Sequence, residues 1–357
     1  MKCDLATLEA LVEGGAVLGG GGGGSMQEGF RLARLAAELG TPKVVPLTAV
    51  DPECWVVTVS AVGAPAAADI FVKPMDYVRA VEKISHRLNG AVGGLIQNEM
   101  GGLASANGLI QSALLGIPIV DAPCNGRAHP IAMMGSLGLH KIPDYWSIQA
   151  GCGGNADRGQ RIELLLEGNI YRCSVLVREG AVQAGGMLAV ARNPIRAKEL
   201  KEKAAIGGVT KTINLGKKII EARRAGSSIE EIVAQSLGGD IIAQERVTRV
   251  ELTTKGGFDV GKVILNGGYE LAFWNEYMVL ESWGNRLYTF PDLITTLDAE
   301  SHQSISTAQI TEGKQVFVIA VPKERLILGE GMRDRNLYHQ VEQAIGKPIL
   351  PFVFKGE

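Results

Sequence analysis

Ten residues, Asp121-Ala122-Pro123-Cys124-Asn125-Gly126-Arg127-Ala128-His129-Pro130, place an acid, a thiol, an amide, a guanidinium and an imidazole on one short stretch. None of these groups sits at the spacing of a helix core stripe. Two prolines and a glycine stiffen the loop, so the polar groups, with Asn125 and Gly126 as ligand-binding candidates, would be held in place before a ligand arrives. Cys124 and His129 are candidates to share a divalent metal such as zinc with Cys152 or Glu99, although the spacing matches no recognised ligand pattern. A Cys124 nucleophile with His129 as its base is the alternative chemistry.

Two more segments carry candidates. In Asn98-Glu99-Met100-Gly101-Gly102, a carboxylate beside two glycines suits a general base or a metal ligand, with Gly101 and Gly102 leaving room for substrate. The competing reading is an acid at a helix start beside a tight turn. Six glycines from Gly19 to Gly24 run into Ser25-Met26-Gln27-Glu28, a capping-box pattern. Backbone amides of Gly20, Gly21, Gly22, Gly23 and Gly24, with Ser25, would make an anion site at a helix N-terminus; close packing of a turn is the competing reading. The run is a poor dinucleotide fingerprint, because consecutive glycines satisfy almost any GxGxxG pattern. Asp51 lies nearer ~30 than the ~20 residues on where such a fold places its acid, and no GK[ST] follows.

The elements that must position these segments read as an α/β chain. Ala16 to Leu18 suggests a short strand and Met26 to Leu39 a helix; Lys43 to Val50 and Trp55 to Val62 are strands. A helix is expected from Pro74 to Leu88, a strand over Val92 to Gln97, a helix over Ser105 to Leu115 and a strand over Ile117 to Val120. Apolar strands between helices imply a parallel or mixed sheet covered by helices on both faces. Ligands of such sheets bind beyond the carboxyl ends of the strands, so the stretches around Gly22, Glu99 and Arg127 are expected to line one cavity.

Near Ile162 to Val177 a hairpin turning at Glu167-Gly168-Asn169 marks a change of rhythm. The division drawn is a ligand-binding α/β domain, 1–160, and a β-rich α+β domain, 161–357, with a helical insertion at about 197–238. From Ile241 the chain reads as a meander turning at Lys255-Gly256-Gly257 and Asn266-Gly267-Gly268. A strand over Gln315 to Val321 and a short helix over Asn336 to Ile345 follow.

Composition narrows the partners. With 36 Lys plus Arg against 38 Asp plus Glu, no basic excess exists to hold a nucleic-acid backbone. Asp4, Glu9 and Glu13 interrupt any secretory signal, no apolar run is long enough for a membrane span, and the five cysteines form no tight pair. A cytoplasmic protein with a small-molecule ligand is expected, and a homo-oligomer stays open.

The glycine run, the Glu99 to Gly102 element and the Asp121 to Pro130 element resemble the S-methyl-thiohydantoin desulfurase-like family, found beside hydantoinase and oxoprolinase enzymes. The resemblance continues through Gly185-Gly186, Ala189-Val190-Ala191-Arg192, Phe273-Trp274-Asn275-Glu276, Pro291-Asp292-Leu293-Ile294 and Leu297-Asp298. Pro123 and Ile131 stand where the family pattern has acids, and Ser25 where it commonly has an acid or amide, which makes the chain a divergent member. The resemblance implies a hydrolase in which water attacks an amidine-like ring carbon and expels a thiol. Glu99 would be the base, Arg127 and the Gly19 to Gly24 amides the anion donors, His129 a proton shuttle, and Asp121 the group orienting His129 or a metal. A non-catalytic ligand-binding subunit of a hydantoinase-type assembly and a nucleotide binder are the competing classes.

Overall fold

A computed structural model describes residues 1–354. Helix α1, Leu5–Leu18, starts where the Asp4 carboxylate accepts from the Thr7 amide, and it is buried on nearly all sides by apolar residues such as Leu8, Leu11 and Val12. Ala16 to Leu18 is therefore the end of a helix, not the expected strand. A helix buried all round has no polar face, so its last turn reads like an apolar strand. Ser25 caps α2, Met26–Leu39, accepting from the Glu28 amide as its capping pattern requires.

Strand β1, Val44–Val45, is only the first part of the expected Lys43 to Val50 strand, which continues as a single 3-10 turn. β2, Trp55–Gly63, α3, Pro74–Arg87, and β3, Val92–Gln97, follow the expected pattern. α4, Leu109–Leu115, begins later than Ser105, and β4, Ile119–Val120, is shorter than its apolar run. β5, Trp146–Gly153, then pairs with β6, Ile162–Asn169.

The expected turn at Glu167-Gly168-Asn169 is a helix start instead. The Asn169 side chain accepts from the Tyr171 and Arg172 amides and caps α5, Ile170–Gln183. Asn is as good an N-cap as it is a turn residue, and the sequence does not separate the two uses. β7, Met187–Arg196, completes a seven-stranded sheet in the order β1-β4-β3-β2-β7-β5-β6. β1 to β4 pair in parallel, whereas β7 runs antiparallel to β2 and to β5, so the sheet is mixed and draws strands from both sides of residue 160.

Helices α6, Leu200–Lys203, α7, Gly208–Ala225, and α8, Ile229–Leu237, occupy the expected helical segment. The C-terminal β-rich part is a second seven-stranded sheet, wholly antiparallel. Its strands are β8, Asp240–Lys255, β9, Phe258–Leu265, β10, Tyr269–Trp274, β11, Glu276–Ser282, β12, Asn285–Thr289, β13, Leu293–Asp298, and β14, Gln315–Val321. The helix expected near the C-terminus is Tyr338–Ile345.

Two features of this frame matter for the site. Arg192 on β7 is carried alongside β2, opposite Thr58. Between β10 and β11, Asn275 adopts a left-handed conformation (φ 57°) and delivers Glu276 towards the glycine run. The run is clamped from that side: the Tyr277 amide donates to the Gly20 carbonyl and the Thr307 amide to the Gly21 carbonyl, both at 2.8 Å.

Asp121 has a job elsewhere. Its carboxylate accepts from the Val209 and Thr210 amides at 2.8 and 3.1 Å, and from the Thr210 hydroxyl at 2.5 Å, at the start of α7. Asp121→Ala should therefore cost ~0.5–2 kcal/mol of stability, the value of a helix cap. Thermal unfolding reads the loss, and ligand binding in the cleft described below should be untouched.

Candidate functional site

The carboxyl ends of β2 and β3 open into a cleft of about 60 Å³. Gly23 and Gly24 form part of its wall, Asn98, Glu99 and His129 another, and Arg178 of α5 faces Arg192, Asn275 and Glu276 across it. Two of the three expected segments thus reach one cavity through their glycine and carboxylate residues. The third contributes His129 but not Arg127.

Glu99 is nearly enclosed, with a side chain 15% exposed, and burial pushes its carboxyl up to about 7. The amide of His129 donates to Oε2 at 3.1 Å and, with the charges of Arg192, Arg127 and Arg178, offsets part of that rise. Glu276 is buried, its Oε2 lacks a hydrogen-bond partner, and burial with the Glu99 charge holds its carboxyl well above the usual range. Cation charge surrounds the pair. Arg178 donates to the Gly257 carbonyl at 2.6 Å, and its guanidinium lies 3.8 Å from the Phe258 ring centroid. Arg192 is fully enclosed, donates from Nη2 to Asn98 Oδ1 at 2.8 Å, and leaves Nε without a partner.

Several expected site residues take structural roles. Arg127 is completely buried: Nε donates to the Ala128 carbonyl, Nη1 to the Pro291 and Asp292 carbonyls, and the guanidinium sits 4.7 Å from the Phe290 ring centroid. It staples its loop to the second sheet and reaches Glu276 only as a charge, so it is no direct anion donor in the cleft. Asn125 bridges the Met134 carbonyl and the Gly329 amide, and the Gly126 amide donates to the Ile327 carbonyl. Asp121 faces α7 and does not orient His129. Ser25 is spent on capping α2.

The glycines are mostly there for close approach. A Cβ on Gly22 would run into the Glu276 carboxylate, and one on Gly101 into the backbone of Gly23. Gly102 lies in the same way against Gly24 and Met26. Gly20 gives its carbonyl to β11 of the second sheet and Gly21 to Thr307 in the β13–β14 connection. The run joins two helices, so the strand–turn–helix cradle of a nucleotide site is not formed.

The proposed thiol and metal chemistry also fails on geometry. The Cys124 thiol is buried against the Thr58 hydroxyl at 3.5 Å, and burial raises it to about 12, which keeps it protonated. Cys152 belongs to a separate apolar cluster. Glu99 and His129 adjoin at 3.4 Å, but among the described residues no three His, Cys, Asp or Glu side chains converge as a metal set. His129 is driven down to about 3 by burial and by Arg192, so near neutral pH it is an uncharged imidazole and no imidazolium shuttle.

Arg178, Arg192, Asn275 and Glu276 were not picked out as site residues, and Asn98 only as the neighbour of Glu99. A signal existed for two of them. Arg192 interrupts the apolar strand from Leu188 to Ala191, and Glu276, next after Asn275, stands between the buried pairs Phe273-Trp274 and Tyr277-Met278; a charge inside a buried run needs a partner or a purpose. Both lie beyond residue 160, outside the expected ligand-binding domain.

No curated protein matches the chain. Among solved structures, a crystal structure of a protein from Chromobacterium violaceum, a structural-genomics target, is similar at 21% identity and a TM-score of 0.73, covering 96% of this chain and 97% of that one. No helix among the described residues is long and apolar enough to cross a membrane. Two family models, the S-Me-THD-like N-terminal domain over residues 6–157 and the S-Me-THD-like C-terminal domain over 169–332, together match most of the sequence, and the chain belongs to the S-Me-THD-like family.

Proposed function

We propose that the protein is a hydrolytic desulfurase for a small cyclic S-alkyl thioamide of the thiohydantoin type, working in the cleft between β2, β3 and the β10–β11 turn. The observation carrying this reading is the pair of buried carboxyls, Glu99 and Glu276, on one cleft beside two arginines. Groups whose environments push their proton affinities up by different amounts divide naturally into base and acid. Glu99, at about 7, is half ionised at neutral pH and suits a base; Glu276, which burial and the Glu99 charge hold well above the usual carboxylate range, suits an acid.

The steps balance without another reactant. Glu99 takes a proton from water as the oxygen bonds to the ring carbon between two nitrogens, and the C=N electron pair moves onto nitrogen. Arg178 and Arg192 face the negative charge that develops there, in a site where little water screens them. The C–S bond then breaks, sulfur leaves with the proton of Glu276, and a ring carbonyl remains. One water hydrogen stays on the attacking oxygen and ends on the ring nitrogen as the carbonyl forms; the other, held by Glu99, returns through solvent to Glu276 and replaces the proton that left with sulfur.

The test is turnover. Purified protein mixed with S-methyl-thiohydantoins varied at the ring's tetrahedral carbon should release methanethiol over many cycles, read with a thiol-reactive dye. Stabilisation by the ligand without thiol release would overturn the hydrolase reading in favour of a binding subunit.

A further inference from the structure

We propose that Asn98 is a positioning residue that fixes His129 as the tautomer with its proton on Nδ1, so that the imidazole presents no N–H to Glu99. The inference rests on the reading of Glu99 as the base, but its geometry stands apart from any assay of turnover.

The direction of the hydrogen bonds forces the assignment. A guanidinium only donates, so the Asn98 atom 2.8 Å from Arg192 Nη2 must be the carbonyl oxygen Oδ1. That leaves the amide nitrogen Nδ2 pointing at His129 Nε2, 3.2 Å away. An amide nitrogen donates and does not accept, so Nε2 must offer its lone pair. The ring is buried among Arg192, Arg127 and Glu99, and the two arginine charges oppose a second ring proton. A neutral imidazole has one N–H, which must then be on Nδ1. Nδ1 is buried and makes no hydrogen bond within the protein, although the Asn98 and Ile131 carbonyls lie near enough to favour a ring proton.

The consequence falls on Glu99. Its Oε2 lies 3.4 Å from Nε2 and receives only the backbone N–H of His129, at 3.1 Å. With no N–H opposite, the ionised carboxylate gains no help from the ring. The chain Arg192–Asn98–His129 therefore favours the carboxyl that has accepted a proton, which a base that must strip water requires. Were the tautomer reversed, Nε2–H would bond the carboxylate and weaken it as a base.

Nitrogen NMR on the full-length protein labelled at its histidine ring nitrogens reads the tautomer directly. His129 is identified as the signal missing in His129→Gln. Between pH 6 and 8 its Nε2 should show a pyridine-type shift and its Nδ1 a pyrrole-type shift. In Asn98→Asp, where the side chain can only accept, the two types should exchange. A pyrrole-type Nε2 in the unaltered protein, or an unchanged pattern in the variant, overturns the proposal. Should Asn98→Asp fail to fold, the unaltered protein alone decides. Absent turnover alongside the expected shifts would sink the enzymatic reading and leave this one intact.

Discussion

Glu99→Gln is expected to lower kcat by ~10²–10⁴-fold, the usual worth of a positioned general base, with little change in KM. Glutamine keeps the size of the side chain and can still accept from the His129 amide, so the cleft should hold its shape. The pH profile sharpens the test. Burial raises the Glu99 carboxyl to about 7, so the active carboxylate is scarce below that pH and fills in above it. In the unaltered enzyme kcat/KM should climb tenfold per pH unit through the slightly acid range and level off just above neutrality. The variant should lose that limb. Retention of activity within tenfold, with the limb intact, would assign the base elsewhere.

Glu276→Gln should cost a similar factor, roughly 10²–10³-fold, but only where the leaving group needs a proton. An alkyl thiol is a poor anion and departs with the proton of Glu276; an aryl thiol of low pKa departs unaided. The loss should therefore be large for an S-methyl ring and shrink by at least tenfold for an S-nitrophenyl one. Because Glu276 works protonated and its carboxyl is held high by burial and by the Glu99 charge, activity should fall again at alkaline pH. An equal loss for both leaving groups would mean that Glu276 serves only to shape the wall against Gly22, where the two are in close contact.

The sequence shows the sheet far better than the cleft. Strands such as Trp55–Gly63 and Val92–Gln97 are apolar enough to announce themselves, and loops at their carboxyl ends are where parallel sheets hold ligands. That reasoning singled out Glu99, His129 and the glycine run, of which Glu99, His129, Gly23 and Gly24 line one cleft. It failed on Arg127 and Asp121, because a hydrogen-bonding side chain that staples a loop and one that grips a ligand have the same composition. Arg127 spends Nε and Nη1 on three backbone carbonyls, leaving Nη2 without a partner, and Asp121 spends its carboxylate on a helix start. It also missed Arg178, Arg192 and Glu276, which reach the cleft because β7 pairs antiparallel with β2 and the β10–β11 turn folds back over the glycines. Those are long-range pairings, and no local pattern encodes them. The mistaken hairpin at Asn169 had a related cause: one side chain serves equally as a turn residue and as the cap of α5.

Labelled water tests the central claim, hydrolytic loss of sulfur in the Glu99–Glu276 cleft, most directly. Turnover of an S-methyl-thiohydantoin in water enriched with oxygen-18 should place one heavy oxygen in the product carbonyl for each methanethiol released, and Glu99→Gln should suppress both together. Thiol release without heavy oxygen in the ring, or label incorporated equally well by the variant, would contradict the account.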